Sequence, residues 1–379
     1  MGLAVLVVNA GSSSLKLRLV GPADELLGAR DLPPQPEDLA AELTALGAPD
    51  AVGHRIVHGG ERFREPVLID ADVEAALREL TALAPLHQPK SLAALDAVQA
   101  VLPEVRAVAC FDTAFHATLT AAAATYALPR AWRQRWGLRR YGFHGLSHAW
   151  AARRAGGGRV VTCHLGAGAS LAAVRDGRCL DTTMGFTPLD GLVMATRSGS
   201  VDPGLLLWLL EETGMAEREL AEALEHQSGL LALAGTADMR EVLAGVERGD
   251  PDASLALDVY VHRMRAGIAA MAAALGGLDT LVFTGGVGER SAPVRTAVAA
   301  GLGFLGIDLD PEHNASAGGD TDIGAEGAAV RTLVVEARED LEIARQVRAV
   351  VCGEVRGGGA PRVVRSGQPA RVMNERERG

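Results

Sequence analysis

Residues 3–20, LAVLVVNAGSSSLKLRLV, decide how this chain is read. An apolar run of strand length meets a turn of Gly and Ser and then an alternating run, the pattern of a buried strand, a tight connection and a second strand. Residues 159–176, RVVTCHLGAGASLAAVRD, repeat that plan and end in the turn pair Asp176-Gly177. Two copies of strand, small-residue turn and strand imply an internal duplication, each copy opening one domain. A third glycine loop, in LDTLVFTGGVGERSAPVR (278–295), follows a third apolar strand but runs into helix-like sequence, so it lies at a helix N-terminus.

Between these segments, residues 38–47, 70–84, 90–102, 117–126, 145–155, 203–213, 217–226, 252–275 and 335–350 carry helical patterning, the stronger ones opening on Ser, Asp or Pro and closing near Gly. Strands alternating with helices point to an α/β fold with mixed sheets. Residues 31–37, DLPPQPE, read as a surface connection. The tail from Gly353 is rich in Arg, Gly and Pro without periodicity and reads as disordered.

The 379 residues suffice for two domains of ordinary size, and 48% apolar composition supplies a core for both. No uncharged apolar run reaches the length of a membrane span, and the apolar start leads directly into the Gly/Ser turn, so it reads as a first strand and not as a signal peptide. Four cysteines, Cys110, Cys163, Cys179 and Cys352, show no CxxC spacing and fit a reducing cytosol. The net charge of −10 disfavours nucleic acid and membrane surfaces as partners. Phosphate or carboxylate ligands would need local arginines and a divalent metal. Only two lysines, Lys16 and Lys90, stand among the many arginines, which singles out Lys16 beside its glycine turn.

Small residues let backbone amides approach a phosphate, and Gly permits the positive φ that turns them inward. One such loop is more often a plain hairpin. Three, each at the end of an apolar strand, suit a nucleotide tail held between two halves of the chain. No GxxxxGK[ST] or helix-opening GxGxxG occurs, so neither a P-loop nor a dinucleotide fingerprint applies. GHRIVHGG (53–60) places Arg55 between two histidines. FDTAFH (111–116) puts Asp112 at a strand end, where a side chain faces a ligand crevice. RRYGFHGLSH (139–148) spaces His144 and His148 at i, i+4, and Arg197 sits in a long Gly/Ser/Thr segment, 187–204. Any one of these histidines alone reads as a core residue. The ensemble is a kit for a carboxylate and a transferring phosphoryl group, which needs alignment and charge neutralisation more than covalent chemistry.

Taken together, VLVVNAGSSSLKLRLV, GHRIVHGGERF, APLHQP, FDTAFHATL, RRYGFHGLSH, HLGAGASLAAV, DTTMGFTPLDGLVMATRSGSVDPG, SGLLALAG, ADMRE, GGLDTLVFTGGVGERS and EDLEIAR resemble, in order, the acetate kinase (acetokinase) family of the acetate and sugar kinase/Hsp70/actin superfamily. The resemblance implies two duplicated actin/ribonuclease-H-like domains (βββαβαβα) with an active site in the cleft between them. The corresponding division is 1–150, 151–335, a C-terminal helix at 336–352 returning to the first domain, and the tail 353–379. It implies reversible, direct in-line phosphoryl transfer from ATP to acetate, giving acetyl phosphate and ADP, with Mg²⁺ (Mn²⁺ as an alternative), in a cytoplasmic homodimer.

Position by position, Asp112, His144, Arg197 and Arg55 match the catalytic set. Arg55, Val57, Leu86, His87, Phe143 and Pro188 match the substrate site, with a small apolar pocket for the methyl group. Ser12, Ser14 and Lys16 match the first phosphate loop, and His164, Gly166, Ala167 and Gly168 the second. Asp238, Met239, Arg240, Gly286, Val287, Gly288 and Arg290 match the nucleotide pocket. Asn9 and Glu339 match the metal side. The chain departs from the family pattern at Ala167, Gln88, Arg290 and Arg338, each in place of asparagine, and at Ser200, in place of an acid. The stretch between Val20 and Gly53 is also short. The rival readings are a propionate or butyrate kinase, a non-catalytic nucleotide-binding module of the actin/Hsp70 type, for which Arg55, His144 and Arg197 have no use, and a sugar kinase, which would need more polar contacts.

Overall fold

The computed structural model describes residues 2–11, 14–84 and 88–353. It contains two six-stranded mixed sheets. The first uses β1 (Val5–Ala10), β2 (Leu15–Val20), β3 (Leu26–Leu32), β4 (Ala51–Ile56), β5 (Val67–Leu68) and β6 (Arg106–Phe111) in the order β3-β2-β1-β4-β6-β5. The second uses β7 (Arg159–Leu165), β8 (Ala169–Arg175), β9 (Arg178–Thr182), β10 (Thr280–Thr284), β11 (Thr321–Asp322) and β12 (Arg331–Val334) in the order β11-β12-β10-β7-β8-β9. Read from the meander outward, the two orders are the same. Each opens with three antiparallel strands, adds two parallel ones and ends on a short antiparallel edge. The duplication expected from the two strand–turn–strand segments is therefore present in the whole topology. Asp176 and Gly177 both take positive φ, 48° and 78°, closing the β8–β9 hairpin as the turn pair predicts.

The halves exchange their last helices. Helix Gly145–Ala155 follows β6 of the first sheet, yet its Ala151, Ala152 and Ala155 pack with Val160, Ala172, Val174, Val282 and Leu333 of the second. Helix Glu339–Val351 follows β12 and buries Leu341, Ile343, Ala344 and Val347 among Val5, Val7, Ala51, Val108 and Cys110 of the first. A buried Leu, Ile or Val side chain contributes about 1.5–3 kcal/mol, so Leu341, Ile343 and Val347 anchor this helix by packing. Gly53 in β4 admits it: a Cβ there would lie 2.5 Å from Ile343 and 2.7 Å from Val347. A division at 150/151 passes through helix Gly145–Ala155.

Most expected helices appear close to their expected bounds, for instance Pro203–Glu212, Glu217–His226 and Pro251–Leu275. Three readings need correction. The Ala-rich stretch 117–126 holds only a single helical turn, Ala121–Ala124, because its methyl groups give it little to bury and Thr125 turns extended. The C-terminal helix begins at Glu339 and not near 335, since β12 occupies 331–334. Helices also form at Arg130–Trp136, Gly229–Ala234, Met239–Glu247 and Pro311–Ser316, where no helical pattern stood out, whereas Gly285–Arg290 and Ala292–Ala299 follow β10 as the helix-like sequence at the third glycine loop predicts. The expected disordered tail lies outside the described residues beyond Gly353. No helix among the described residues is long and apolar enough to cross a membrane.

Candidate active site

Three parallel strands of the first sheet end side by side. Register pairs Val8 of β1 with His54 of β4, and Ile56 of β4 with Phe111 of β6. The residues at these carboxyl ends, Asn9, Arg55 and Asp112, therefore meet in the crevice, where an α/β sheet places its ligands. Arg55 donates from Nε and Nη2 to the Asp112 carboxylate, at 3.1 Å and 2.6 Å, and from Nη1 to Asn9 Oδ1 at 3.0 Å. Asn9 Nδ2 in turn donates to Glu339 Oε2 at 3.0 Å, across 330 residues of sequence. The exchanged helix thus delivers its first residue into the first sheet's crevice. Burial opposes the Arg55 charge, but the Asp112 and Glu339 carboxylates outweigh it and hold its pKa above the ordinary value. Burial pushes Asp112 up, against the pull of that guanidinium.

The other exchanged helix delivers His144. This residue caps helix Gly145–Ala155 with φ 56°, a left-handed conformation uncommon for a residue with a side chain. The next residue is pinned against β6: Gly145 N donates to the Asp112 carbonyl at 2.9 Å, an approach only glycine allows, since a Cβ there would sit 2.1 Å from that oxygen. Strain of this kind concentrates at functional sites. The His144 ring lies 4.4 Å from that of His164, between centroids, and its Nδ1 is 2.8 Å from Ser170 Oγ. Burial first, then His164, His148, Arg55 and Arg197, hold His144 well below the ordinary histidine value, so it is neutral at neutral pH. Arg197 reaches in from the second half. It donates to the Pro188 carbonyl at 3.3 Å and pairs with Glu225 at 3.3 Å.

These groups line one cavity of about 360 Å³. Its walls include Arg55, Asp112, His144, Arg197, Lys16, Lys90, Glu339, His164, the turn residues Gly11, Ala167 and Gly168, and the apolar side chains of Val57, Phe143 and Pro188. Four cationic side chains against two carboxylates make it an anion site in a chain of net charge −10. Both lysines of the chain are among them. A second cavity of about 640 Å³ shares Lys16, His164 and Glu339 with the first and continues past Asn9, Gly285, Gly286, Arg290 and Arg338. Gly166 N donates to Gly168 O at 2.9 Å and Gly11 N to Ser14 O at 2.8 Å, closing the two glycine turns at the mouth.

The remaining candidates are placed as follows. Met239 is buried in the second core, and Val287 packs against it. Gly288 is buried, and its carbonyl accepts from Arg295 Nη1 at 2.9 Å. Asp238 caps helix Met239–Glu247 and pairs with the exposed Arg240, apart from the two cavities. Ser12, Leu86 and His87 lie outside the described residues. Sequence reading missed Glu225, the partner of Arg197. It also missed Glu289, whose Oε1 accepts from the amides of Gly285 and Ala337 at 2.9 Å and so ties the third glycine loop to the segment before Glu339. A lone glutamate on a helix gives no signal; the Glu-Arg of GGVGER was visible but read only for its arginine. The unusual residues have local partners. Gln88 pairs with both the N–H and the C=O of His58, Arg338 with Asp340, and Ser200 with Asp190.

A divalent cation fits this chemistry. Among the described residues no three His, Cys, Asp or Glu side chains gather as a metal-binding group. The Glu339 carboxylate offers oxygens, as does the remaining lone pair of Asn9 Oδ1, which already accepts from Arg55, and most of the shell is left to water and phosphate, as Mg²⁺ prefers.

Comparison with known proteins gives a consistent family. Residues 40–345 match the model of the acetokinase family. The acetate kinase of Nostoc punctiforme is 50% identical over 305 residues, covering 78% of this chain and 75% of that one. The crystal structure of Porphyromonas gingivalis acetate kinase superposes with a TM-score of 0.84 at 35% identity, over 92% of this chain and 99% of that one. A propionate kinase from Francisella tularensis gives 0.85 at 35% identity, over 92% and 100%.

Proposed function

The chain belongs to the acetokinase family, and on that premise we propose that it is an ATP:acetate phosphotransferase working by direct in-line transfer. The reaction is reversible: a carboxylate oxygen of acetate attacks the γ-phosphorus of ATP as the β-phosphate oxygen of ADP leaves, giving acetyl phosphate. The observation that carries this reading is the single cavity in which Arg55, Asp112, His144 and Arg197 converge beside Val57, Phe143 and Pro188. A carboxylate with one methyl group matches those two surfaces. A nucleotide clamp without chemistry has no need of the two guanidinium groups and the imidazole.

Each residue then has a role. Arg55 and Arg197 neutralise the equatorial oxygens of the migrating group, where charge must be met by preorganised donors. Asp112 fixes the Arg55 fork by a bidentate pair, which a lysine could not form. His144, neutral, donates an N–H to an equatorial oxygen. Val57, Phe143 and Pro188 receive the methyl group. The glycine turns at 11–14 and 166–168 offer amides to the phosphates, with Lys16 beside them, and the second cavity takes the nucleotide past Gly286 and Arg290. Asn9 and Glu339 would hold Mg²⁺, with Asp112 ordering its waters; the metal supplies charge neutralisation on the phosphates. Closing the two halves would exclude water and limit hydrolysis.

The chain pairs with a second copy in this account. Helix Pro203–Glu212, PGLLLWLLEE, buries none of its residues, and Leu207 and Trp208 are 58% and 54% exposed. A large apolar face of that kind marks an interface. The free cysteines, three of them buried, suit a reducing cytoplasm. The structural likeness to a propionate kinase supports one rival substrate. Acetate, propionate and butyrate assayed with MgATP and hydroxylamine trapping separate the two: the account expects the highest kcat/KM with acetate and only partial rejection of propionate. A preference for propionate or butyrate moves the substrate assignment, and no acyl phosphate from any of the three removes the reaction.

A further inference from the structure

The contact between His144 and Ser170 continues into the core. Ser170 Oγ lies 2.8 Å from His144 Nδ1 and 2.8 Å from His148 Nε2, and His148 Nδ1 lies 2.7 Å from Thr162 Oγ1. Ser170, His148 and Thr162 are all fully buried. Among the described residues, none of these four side chains makes another hydrogen bond. Two hydroxyls and two neutral imidazoles carry one proton each, and three contacts must share them.

Three arrangements give every contact a proton; in one of them Ser170 accepts from both rings and its own O–H is left a buried donor with no acceptor. Running outward, Thr162 O–H donates to His148 Nδ1, His148 Nε2–H to Ser170 Oγ, and Ser170 O–H to His144 Nδ1. The proton of His144 is then on Nε2. Running inward, His144 Nδ1–H donates to Ser170, Ser170 to His148 Nε2, and His148 Nδ1–H to Thr162. The Thr162 proton is then a buried donor with no acceptor, and His144 turns a bare lone pair toward the cavity. A buried unpartnered donor costs more than a paired one contributes. The outward direction therefore wins. His144 Nε2 faces the second glycine turn, since a Cβ on Gly168 would stand 3.2 Å from it, and both residues line the cavity.

We propose that Thr162, His148 and Ser170 are positioning residues, a one-way hydrogen-bond chain that holds His144 as its Nε2–H tautomer so that this N–H meets the transferring phosphoryl group. The first clause rests on geometry alone; the second rests on the kinase reading above. Neutrality of the rings, which the counting requires, agrees with the burial that keeps both His144 and His148 well below the ordinary value. The i, i+4 histidine pair visible in RRYGFHGLSH thus has two jobs: one ring faces substrate and the other orients it.

The test uses the full-length protein labelled with ¹⁵N-histidine, without ligands, together with steady-state kinetics of Thr162→Val, Thr162→Ser and Ser170→Ala. In the wild type, the His144 nitrogen shifts should report Nε2–H. Thr162→Val keeps the shape and removes the starting donor. The Nε2–H fraction should fall with it, and kcat about tenfold, less than the ~100-fold of losing a transition-state donor outright. KM for acetate and ATP should change less than about twofold, since only transition-state contacts are lost. Thr162→Ser should restore both tautomer and kcat. An Nδ1–H tautomer in the wild type, or Thr162→Val with unchanged tautomer and kcat, overturns the proposal, as does failure of Thr162→Ser to rescue. If Thr162→Val does not fold, the wild-type shifts and Ser170→Ala decide. A wild type that makes no acetyl phosphate refutes the kinase reading and leaves the tautomer result standing.

Discussion

Arg55 and Asp112, 57 residues apart, form a forked ion pair at the ends of adjacent parallel strands, with Nη2 2.6 Å from Oδ2 and Asp112 buried. The pair is placed by register, since Asp112 N donates to the Ile56 carbonyl at 3.0 Å, and it aims the rest of the guanidinium at Asn9 and the cavity. Replacing Asp112 by Asn keeps the shape and removes the charge that holds the fork. Asp112→Asn should lower kcat by about 100-fold or more, the scale of losing one preorganised donor. Asp112→Ala leaves a buried guanidinium uncompensated and should also cost about 3–5 kcal/mol of stability. Steady-state kinetics and urea unfolding read the two effects separately; wild-type kcat in Asp112→Asn contradicts the role given to the pair.

In the proposed reaction the apolar end of the cavity sets acyl size. Val57 follows β4 directly, is buried and lines the same cavity as Phe143 and Pro188. Val57→Ala removes two methyl groups from that wall. One methylene in such a pocket is worth about 1–3 kcal/mol, so the ratio of kcat/KM for propionate over acetate should rise about tenfold or more. An unchanged ratio would place the methyl group elsewhere.

How far the sequence carries can be judged at these same residues. The strand–turn–strand segments at 3–20 and 159–176 were legible because apolar runs, glycine turns and a DG pair are local signals. So was helix 145–155, where GLSH follows a glycine-flanked histidine. Arg55, Asp112, His144 and Arg197 stood out as a kit from their residue types and neighbours, and the resemblance gave them matching roles. The exchange of helices was only half visible. Nothing local in Gly145–Ala155 says that its alanines will meet Val160 and Val282 rather than the strand they follow, because that choice is made by packing between distant segments. The fork partner of Arg55 and the proton chain through Ser170 were hidden for the same reason: each joins residues from different strands and helices. Glu225 was one glutamate among several on Glu217–His226, and no spacing marks it. The alanine run at 117–126 misled in the other direction, since helix propensity without a face to bury is a weak determinant.

Buried neutral histidines make the fold acid-sensitive. Burial lowers His54, His58 and His116 from the ordinary 6.5 to about 4. Between those values the unfolded chain binds protons that the native state refuses, so stability falls as pH drops from 6.5 towards 4 and is regained on return. The thermal midpoint followed from pH 7.5 to 4.5 should show this decline. His54→Leu replaces a ring whose Nδ1 has no partner, and should flatten the slope by one proton. A midpoint independent of pH over that window contradicts the burial argument.

The exposed helix Pro203–Glu212 gives the self-association proposal a direct test. Trp208→Glu and Leu207→Glu put a charge on a face that buries nothing within the chain. Light scattering on the wild type should give twice the mass of the chain and, on either variant, the mass of one chain, with the circular dichroism unchanged. A monomeric wild type, or variants that remain dimeric, moves the interface elsewhere or removes it.

The proposed transfer requires His144 and Arg197, which line one cavity, to act on one transferring group. The most direct measurement is acetyl phosphate formation from MgATP and acetate, trapped as the hydroxamate, by the wild type, His144→Ala and Arg197→Ala. The account predicts an active wild type and a kcat reduced by about 100-fold or more in each variant, with native circular dichroism. Near wild-type kcat in both variants would contradict it.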